Sequence, residues 1–350
     1  MPTDCRLCLY ADAGGTKTTW TWSCEPILGI TTNPSDLTDG GIGRYDNAYV
    51  TLGINPNTMG QQAIRAVLLA AEGILKQQLA AHSIGSWSAE GPNSEPEPTG
   101  RVVLTEVYYY GAGCGAQANR ELMAGLIDQV YRGSPAQELV VHVDTDLAFA
   151  GLSQWGEEAG LVAILGTGCN VGLWQPTLLS SAKGQQAKGP IGKIVDAAPS
   201  LGFWLGDEGG GAWVGKQIMR EYLLGEVPRS IVPILSQILG PTETLLQRFY
   251  QAASPAAMAG AILSGLATIG RADHPDLQPW LDNSIRAGFE AFVRTYVLPL
   301  SAVHGCKAVR CVGGMAWHYQ ALLAEVLARA GLRLDRVVQT PTLSIDQPKY

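Results

Sequence analysis

The sequence of 350 residues lacks three features, each of which would assign it to a class of protein. No uninterrupted apolar run approaches the roughly 18–20 residues that a membrane-spanning helix needs. No block of basic residues is present, and the net charge of −7 gives a nucleic-acid surface little electrostatic support. The N-terminal segment lacks the long apolar core of a signal peptide. We therefore expect a cytoplasmic protein without a membrane or nucleic-acid partner.

Cysteine is too scattered for a disulfide framework. The seven cysteines are odd in number and spread over the whole chain. Cys5 and Cys8 form a single C-x-x-C without the second pair of cysteines or histidines that a zinc site needs. We expect both to be reduced thiols that are buried in the first strand.

Short apolar strands alternate with helical patterns, which is typical of an α/β protein. Apolar residues at helical spacing predict a helix over Gln61–Leu79, and a second helix is predicted near Asn119–Tyr131. After Trp213 the chain is predicted to be mostly helical, and Met315–Ala330 forms the last helix. Strands are predicted at Leu7–Tyr10, Thr18–Trp22, Glu106–Tyr110, Leu139–Val143, Leu161–Leu165, Val171–Trp174 and Ala308–Val312.

A strand, a glycine-rich turn and a returning strand occur once in each half of the chain. This duplication predicts two related α/β domains, residues 1–153 and 154–350, with a hinge near Gly151–Gly160. The polar stretches 33–47, 82–100 and 183–193 are predicted to be surface loops. A homodimer is the base-rate expectation for such a chain.

Three glycine-rich turns follow apolar strands and predict phosphate binding. Bare backbone N–H groups at such turns hold phosphate without many cations. Each turn by itself also fits a plain connection after a strand. The last turn equally fits a support for the ribose or adenine of a nucleotide. The turns comprise Gly14, Gly15, Thr16, Lys17 and Thr18, then Gly166, Thr167 and Gly168, and finally Gly313 and Gly314.

Carboxylates at strand ends are the candidates for catalysis. Asp12 ends the first strand, where a carboxylate can hold Mg²⁺ against a polyphosphate. Asp146 is the candidate general base that accepts a proton from a sugar hydroxyl, with Asp144 as the alternative. Asp146 equally fits a cap for a helix that begins at Leu147.

A fourth glycine-rich stretch is predicted to open a helix. Gly206, Asp207 and Glu208 would bind substrate hydroxyls or support Mg²⁺, or the two carboxylates would only cap the helix. The glycines that follow, at 209–211, make sense if another part of the chain approaches closely. Asn55 is a loop amide that could bind a sugar hydroxyl.

Taken together, the motifs resemble the BadF/BadG/BcrA/BcrD-type ATPase family, in its N-acetylglucosamine kinase-like branch. The resemblance implies two ribonuclease H-like domains of the actin-like ATPase fold, with ATP and sugar meeting in an interdomain cleft. It also implies Asp146 as the base, Asn55 as a sugar ligand and Asp12 near Mg²⁺. Cys169 and Gly210 depart from it, because the family more often has Ser there. The resembling stretches are Ala11–Thr18, Thr51–Pro56, Tyr108–Cys114, Thr145–Leu147, Ile164–Asn170, Leu201–Gly215 and Val312–Tyr319.

The resemblance implies an ATP- and Mg²⁺-dependent kinase that acts on the 6-hydroxyl of N-acetylglucosamine or a related small sugar. Two alternatives remain open. A dehydratase-activating ATPase would need cysteines that hold an iron–sulfur cluster, and neither Cys5/Cys8 nor Cys114/Cys169 shows a suitable pattern. A sensor would bind nucleotide or sugar through the same loops without turnover.

Overall fold

The computed structural model divides the chain into two compact units, Met1–Phe149 and Ala150–Tyr350. The boundary predicted from the sequence at 153/154 and the hinge beside it stay predictions. The predicted loop at 33–47, and most of those at 82–100 and 183–193, lie outside the residues that the structure describes. Those residues are 5–14, 17–26, 48–81, 86–87, 101–133, 135, 137–156, 158–176, 192–270 and 273–341.

The first unit contains a mixed sheet with the strand order β3-β2-β1-β5-β4, and β6 also pairs with β5. Strands β1, β5, β4 and β6 run parallel, whereas β2 and β3 are antiparallel to their neighbours. The strands are β1 (Cys5–Ala13), β2 (Lys17–Pro26), β3 (Ala48–Leu52), β4 (Ser86–Trp87), β5 (Arg101–Gly111) and β6 (Val140–Asp144).

Helices α1 (Gln61–Ala81) and α2 (Gln117–Tyr131) share one core with this sheet. Alternate residues of β1 point into that core, beginning with Leu7 and Leu9, because successive side chains of a strand face opposite sides. The other face of β1 carries Cys8, which is only half-buried, so the expected burial of this thiol is wrong. Cys114, Cys169, Cys306 and Cys311 are free thiols.

The second unit contains a five-stranded sheet with the order β11-β10-β7-β8-β9. Strands β7, β10 and β11 are parallel, and β8 and β9 are antiparallel to their neighbours. The strands are β7 (Gly160–Leu165), β8 (Cys169–Pro176), β9 (Gly192–Ala197), β10 (Ala308–Val312) and β11 (Arg333–Val338).

The remaining helices supply most of the core of the second unit. A π-helical stretch, Val293–Val297, joins α9 to α10. The predicted helix Met315–Ala330 is two helices that are separated by Tyr319. None of the described helices is long and apolar enough to cross a membrane. The helices are α3 (Asp146–Trp155, which spans the boundary between the units), α4 (Gly202–Leu205), α5 (Gly211–Leu224), α6 (Val232–Leu239), α7 (Thr242–Tyr250), α8 (Pro255–Ala267), α9 (Leu277–Phe292), α10 (Leu298–His304), α11 (Gly314–His318) and α12 (Gln320–Arg329).

Candidate functional site

The parallel strands of the first unit bring the predicted catalytic carboxylates to one edge of the sheet. Asp12 on β1 pairs with Tyr110 on β5, and Tyr110 in turn pairs with Asp144 on β6. Asp146 follows two residues later, in the first turn of α3. Because parallel strands end at the same edge, positions that are far apart in the chain become neighbours.

The charges of Asp12 and Asp146 act on each other. Burial, as the largest effect, and the Asp146 carboxylate raise the pKa of Asp12, and Lys17 lowers it, so that the pKa changes from 3.8 to about 7. A divalent cation beside Asp12 would favour the ionised carboxylate, and carboxylate oxygens are the ligands that Mg²⁺ prefers. Among the described residues no group of three or more His, Cys, Asp or Glu could hold a metal ion. Asp12 and Asp146 could supply one or two carboxylate ligands to a cation whose coordination is completed by substrate phosphates and water.

Thr145, rather than Asp146, caps helix α3. The Thr145 hydroxyl accepts a hydrogen bond from the backbone N–H of Ala148 at 3.1 Å, the usual N-cap contact. One oxygen of Asp146 accepts the neighbouring N–H of Leu147 at 2.9 Å. Asp146 is therefore not the N-cap residue of α3, and the interpretation of Asp146 as the helix cap is wrong. A role for its carboxylate in catalysis stays a prediction.

Asp144, like Asp146, accepts the backbone N–H of the residue that follows it, and it also experiences the charge of Arg120. Its carboxylate accepts the N–H of Thr145 at 2.7 Å, which lowers its pKa, as does the charge of Arg120. Burial is the larger effect and raises the pKa above its ordinary value. Arg120 is fixed by hydrogen bonds to the carbonyl groups of Cys114 and Gly115, at 2.9 and 2.7 Å. The sequence reasoning missed this cation.

The loop that carries Asn55 packs on the turn after β5. Asn55 accepts the N–H of Asn57 at 2.9 Å, which closes a short Asx-type turn. A methyl group at Gly113, which has a φ of +83°, would lie 2.3 Å from Asn55 Oδ1. Cys114 follows in the chain. Burial is the main cause that raises the pKa of its thiol to about 12, and the charges of Asp146 and Asp144 contribute to the rise. Asn55 and the carboxylates therefore flank the same short turn.

The first glycine-rich turn is described only in part. Gly14 follows β1, Lys17 opens β2 with an exposed side chain, and Gly15 and Thr16 lie outside the described residues. The side chain of Thr18 is fully buried, and its hydroxyl has no hydrogen-bond partner in the part of the chain that the structure describes. The predicted role of Thr18 as a donor to phosphate stays a prediction.

The glycine-rich segments of the second unit converge at the end of β7. The N–H of Gly211 donates to the carbonyl of Gly166 at 2.8 Å, and the N–H of Ala212 donates to that of Thr167 at 2.9 Å. A methyl group at Gly210 would lie 2.8 Å from the Cα of Gly168. The two segments touch backbone to backbone, which only glycine allows.

Gly313 and Gly314 complete this convergence. Strand β10 lies beside β7, so both strands end at the same edge of the sheet. Gly313 has a φ of +122°, and a methyl group there would lie 2.4 Å from the carbonyl oxygen of Leu165. The separate turns predicted from the sequence thus form one glycine-lined surface in the second unit.

Asp207 and Glu208 do not begin a helix. Helix α5 begins at Gly211 after the N-cap residue Gly210, without a side-chain cap. The Asp207 carboxylate accepts the backbone N–H of Cys169 at 3.1 Å and lies over Gly168, where a methyl group would be 2.8 Å away. Its main contact therefore holds the turn after β7, and helix capping is excluded.

Glu208 and Gly206 both contact Tyr296. The hydroxyl of Tyr296 donates to the Glu208 carboxylate, and a methyl group at Gly206 would lie 2.8 Å from the same hydroxyl. Burial raises the pKa of Asp207, and the Glu208 charge raises it further, while the N–H of Cys169 and the charge of Lys216 lower it. The predicted contacts of Gly206, Asp207 and Glu208 with substrate stay predictions.

Tyr109 is a further group close to Asp12 and Asp146 that was not identified from the sequence. Its hydroxyl is buried and has no hydrogen-bond partner among the described residues. Burial raises its pKa, and the charges of Cys114, Asp146 and Asp12 raise it further. An aromatic residue inside a strand gives no sequence signal for such a position, because most of them only fill a core.

The sequence matches no protein-family model, and no curated protein matches it either. Solved structures match over nearly the whole chain. A candidate N-acetylglucosamine kinase from Porphyromonas gingivalis is similar with a TM-score of 0.69 and 23% identity, over 95% of this chain and 95% of that chain. A second candidate N-acetylglucosamine kinase, from Chromobacterium violaceum, has a TM-score of 0.56 and 17% identity, over 96% and 95% of the two chains.

A ROK-family glucokinase from Streptomyces griseus, solved with glucose and AMPPNP, has a TM-score of 0.50 and 12% identity, over 96% of this chain and 94% of that one. At such identities the likeness establishes the fold. The predicted fold class is confirmed: the chain is an α/β protein with the actin-like ATPase fold of sugar kinases.

Proposed function

We propose that the chain is an ATP-dependent sugar kinase that transfers the γ-phosphate of Mg-ATP to the 6-hydroxyl of N-acetylglucosamine or a close relative. The observation that carries the proposal is the convergence of three glycine-rich segments at the end of β7. The fold shared with candidate N-acetylglucosamine kinases and with a glucokinase supports it. We also propose membership of the N-acetylglucosamine kinase-like branch of the BadF/BadG/BcrA/BcrD-type family.

The second unit would hold the nucleotide. The N–H groups of Gly166, Gly211 and Ala212 already donate to backbone carbonyls. Those of Thr167, Gly168 and Gly314 would therefore be the donors that the glycine-lined surface offers to phosphate. Thr167 and Gly168 would contact the phosphates, and Gly313 and Gly314 would support the ribose or the adenine. ATP as the donor implies a cytoplasmic enzyme, because this is where ATP is supplied.

The first unit would carry the reaction at the acceptor. The sugar hydroxyl oxygen attacks the γ-phosphorus, the bond from that phosphorus to the β,γ-bridging oxygen breaks, and ADP leaves. Asp146 accepts the hydroxyl proton as the new O–P bond forms. A proton acceptor of this kind is typically worth about 10²–10⁴-fold in rate. Asp144, whose carboxylate is engaged by Thr145, is the alternative.

Asp12 would hold Mg²⁺, directly or through water. When bound, the ion neutralises phosphate charge and orients the polyphosphate. Asp12 suits this role because burial and the neighbouring Asp146 charge disfavour its ionised form when no cation is present. Lys17, exposed at the start of β2, would add positive charge for the phosphates.

A neutral acceptor suits the first unit better than an acidic one. Asp12, Asp144 and Asp146 gather at one sheet edge, and like charges would repel a sugar carboxylate. Asn55 offers an uncharged amide, which can bond a hydroxyl or an acetamido oxygen. These features favour N-acetylglucosamine or a neutral relative.

A coupled ADP-release assay tests the proposal. Mg-ATP would be offered with N-acetylglucosamine, glucosamine, N-acetylmannosamine, N-acetylmuramic acid and glucose, with activity expected on N-acetylglucosamine. Asp146→Asn should leave nucleotide binding nearly intact and lower kcat by about 10² or more, and Asp144→Asn serves as the matched comparison. Nucleotide binding without turnover on any sugar would contradict the kinase and favour a sensor.

A further inference from the structure

Three asparagine side chains meet at the turn that follows β5. The Nδ2 group of Asn119, in the first turn of α2, donates to Asn57 Oδ1 at 2.7 Å and to the carbonyl oxygen of Gly113 at 2.8 Å. Asn57 belongs to the same turn as the predicted sugar ligand Asn55. One amide of α2 therefore joins the loop of Asn55 to the turn that lies beside the carboxylates.

This contact fixes which group Asn55 can present. Its Oδ1 accepts the N–H of Asn57 and lies over Gly113, so one of the two acceptor positions of this oxygen is used and its approach from the side of Gly113 is closed. Its backbone carbonyl is also used, since it accepts the N–H groups of Thr58 and Met59, both at 3.0 Å. The Nδ2 group of Asn55 is left as the donor for a ligand oxygen, because no hydrogen bond joins it to any residue that the structure describes.

Gly113 makes the arrangement sensitive to small displacements. Its positive φ and the absence of a side chain let the turn approach Asn55 more closely than any other residue would allow. If the turn containing Asn57 shifted, the amide of Asn55 would move with it. Displacements of about 1 Å at a binding group can cost about 10²-fold in rate.

We infer that Asn119 is the positioning residue for the acceptor sugar: its two hydrogen bonds fix the turn of Asn55 on Gly113 so that Asn55 Nδ2 faces the sugar. The inference rests on the proposed kinase activity and adds a specificity determinant to it. Asn119 itself does not contact the reacting atoms. Its loss acts on the sugar side and leaves the nucleotide surface of the second unit untouched.

The test compares two amide-to-acid exchanges on the same helix. Asn119→Asp keeps the shape of the side chain and removes both donated hydrogen bonds, whereas Gln129→Glu makes the same charge change at an exposed position of α2. Steady-state kinetics would vary sugar and ATP separately. We expect Asn119→Asp to raise the KM for N-acetylglucosamine about tenfold or more, as the loss of two hydrogen bonds predicts, and the KM for ATP to stay within about twofold.

Hydrogen exchange adds a readout that does not depend on turnover. The amides of residues 55–59 should exchange faster in Asn119→Asp than in Gln129→Glu, with the second unit unchanged. Asn119→Ala serves as a second variant without the added charge, and thermal unfolding confirms that each variant is folded.

The outcomes separate the two proposals. An active wild-type enzyme whose KM for sugar is the same in both Asn119 variants as in Gln129→Glu would overturn the positioning role and leave the kinase proposal standing. A wild-type protein that neither binds nor phosphorylates any sugar in the panel would overturn both. A selective rise in the KM for sugar with faster exchange at 55–59 supports the inference.

Discussion

At the scale of single residues, the buried carboxylate of Asp12 makes the stability of the first unit depend on pH. Burial and the Asp146 charge raise its pKa to about 7, against an ordinary value of 3.8. The folded protein therefore favours the protonated form, and the stability present below pH 4 is lost as the pH rises through about 7. A cation that binds ionised Asp12 would compensate for this loss of stability.

Asp12→Asn should accordingly stabilise the metal-free protein at alkaline pH. A tenfold change in an acid dissociation constant corresponds to about 1.4 kcal/mol, so we expect a gain of at least that size in the free energy of unfolding at pH 8. The gain should vanish at pH 4, where wild-type Asp12 is also neutral. Urea unfolding in EDTA at both pH values measures it, with the exposed Asp273→Asn as the charge-matched control. A gain of equal size at pH 4 would contradict this account.

Residue identity and chain position were enough to select Asp12, Asp146 and Asn55 as site candidates. What the sequence could not supply was the partner of each group. Thr145 takes the cap of α3, and Asn119 reaches across to Gly113. The Thr145 cap is a local contact for which the sequence suggested only Asp146, whereas the bond from Asn119 to Asn57 joins segments 62 residues apart, which no local pattern encodes.

At the scale of elements, the glycine-lined surface proposed to bind the nucleotide depends on backbone contact between two turns. Gly210 stands where the resembling family more often has Ser, and here a side chain would press on the backbone of Thr167 and Gly168. The dihedral angles of Gly210 are open to any residue, so its requirement for glycine is one of space. Glycine at position 210 therefore allows its segment to lie in direct contact with the backbone of the turn after β7.

Gly210→Ala should weaken nucleotide binding. Overpacking of this kind costs about 1–3 kcal/mol, which corresponds to roughly a tenfold or larger loss of affinity when it falls on the binding surface. Isothermal titration with the ATP analogue AMPPNP measures this. Gly125→Ala on α2 is the control, because a methyl group there meets open space and should stabilise the helix by about 0.5–1 kcal/mol. Unchanged affinity in Gly210→Ala would argue against the proposed surface.

Most central strands, and also β6, were predicted from their apolar runs, whereas the edge strands β3, β9 and β11 were missed. Strand β3 is at one edge of the first sheet, and β9 and β11 are the two edges of the second. Each has few fully buried residues, because an edge strand is half exposed. Their sequences therefore resemble loops or, in the case of β11, the continuation of a helix.

At the scale of the whole molecule, each unit has its own hydrophobic core. The core of the first unit is built from its sheet with α1 and α2, and that of the second from its sheet and the helices after β9. The repeated strand–turn–strand pattern made two α/β domains predictable. The boundary predicted from the sequence at 153/154 also falls within α3, whose helical pattern shows no break that would locate it more closely.

Separate cores predict separate responses to a cavity. Leu104→Ala in the first unit and Leu235→Ala in the second each remove a fully buried side chain, at a cost of about 2–5 kcal/mol. Hydrogen exchange followed by mass spectrometry should show faster exchange chiefly in the unit that carries the substitution. Equal acceleration of 1–149 and 150–350 by Leu104→Ala would show that the two units open together.

Asp207 has a left-handed backbone, with a φ of +65°, which among the described residues is seen for no other residue but glycine. In a library that samples every amino acid at position 207, two requirements would decide which variants function: the backbone conformation and the negative charge. Glycine and asparagine suit the backbone, yet only a carboxylate makes the charged contact with the N–H of Cys169. If glycine and asparagine are tolerated better than glutamate, the backbone conformation at position 207 matters more than the charge. The reverse order would show that the charge matters more.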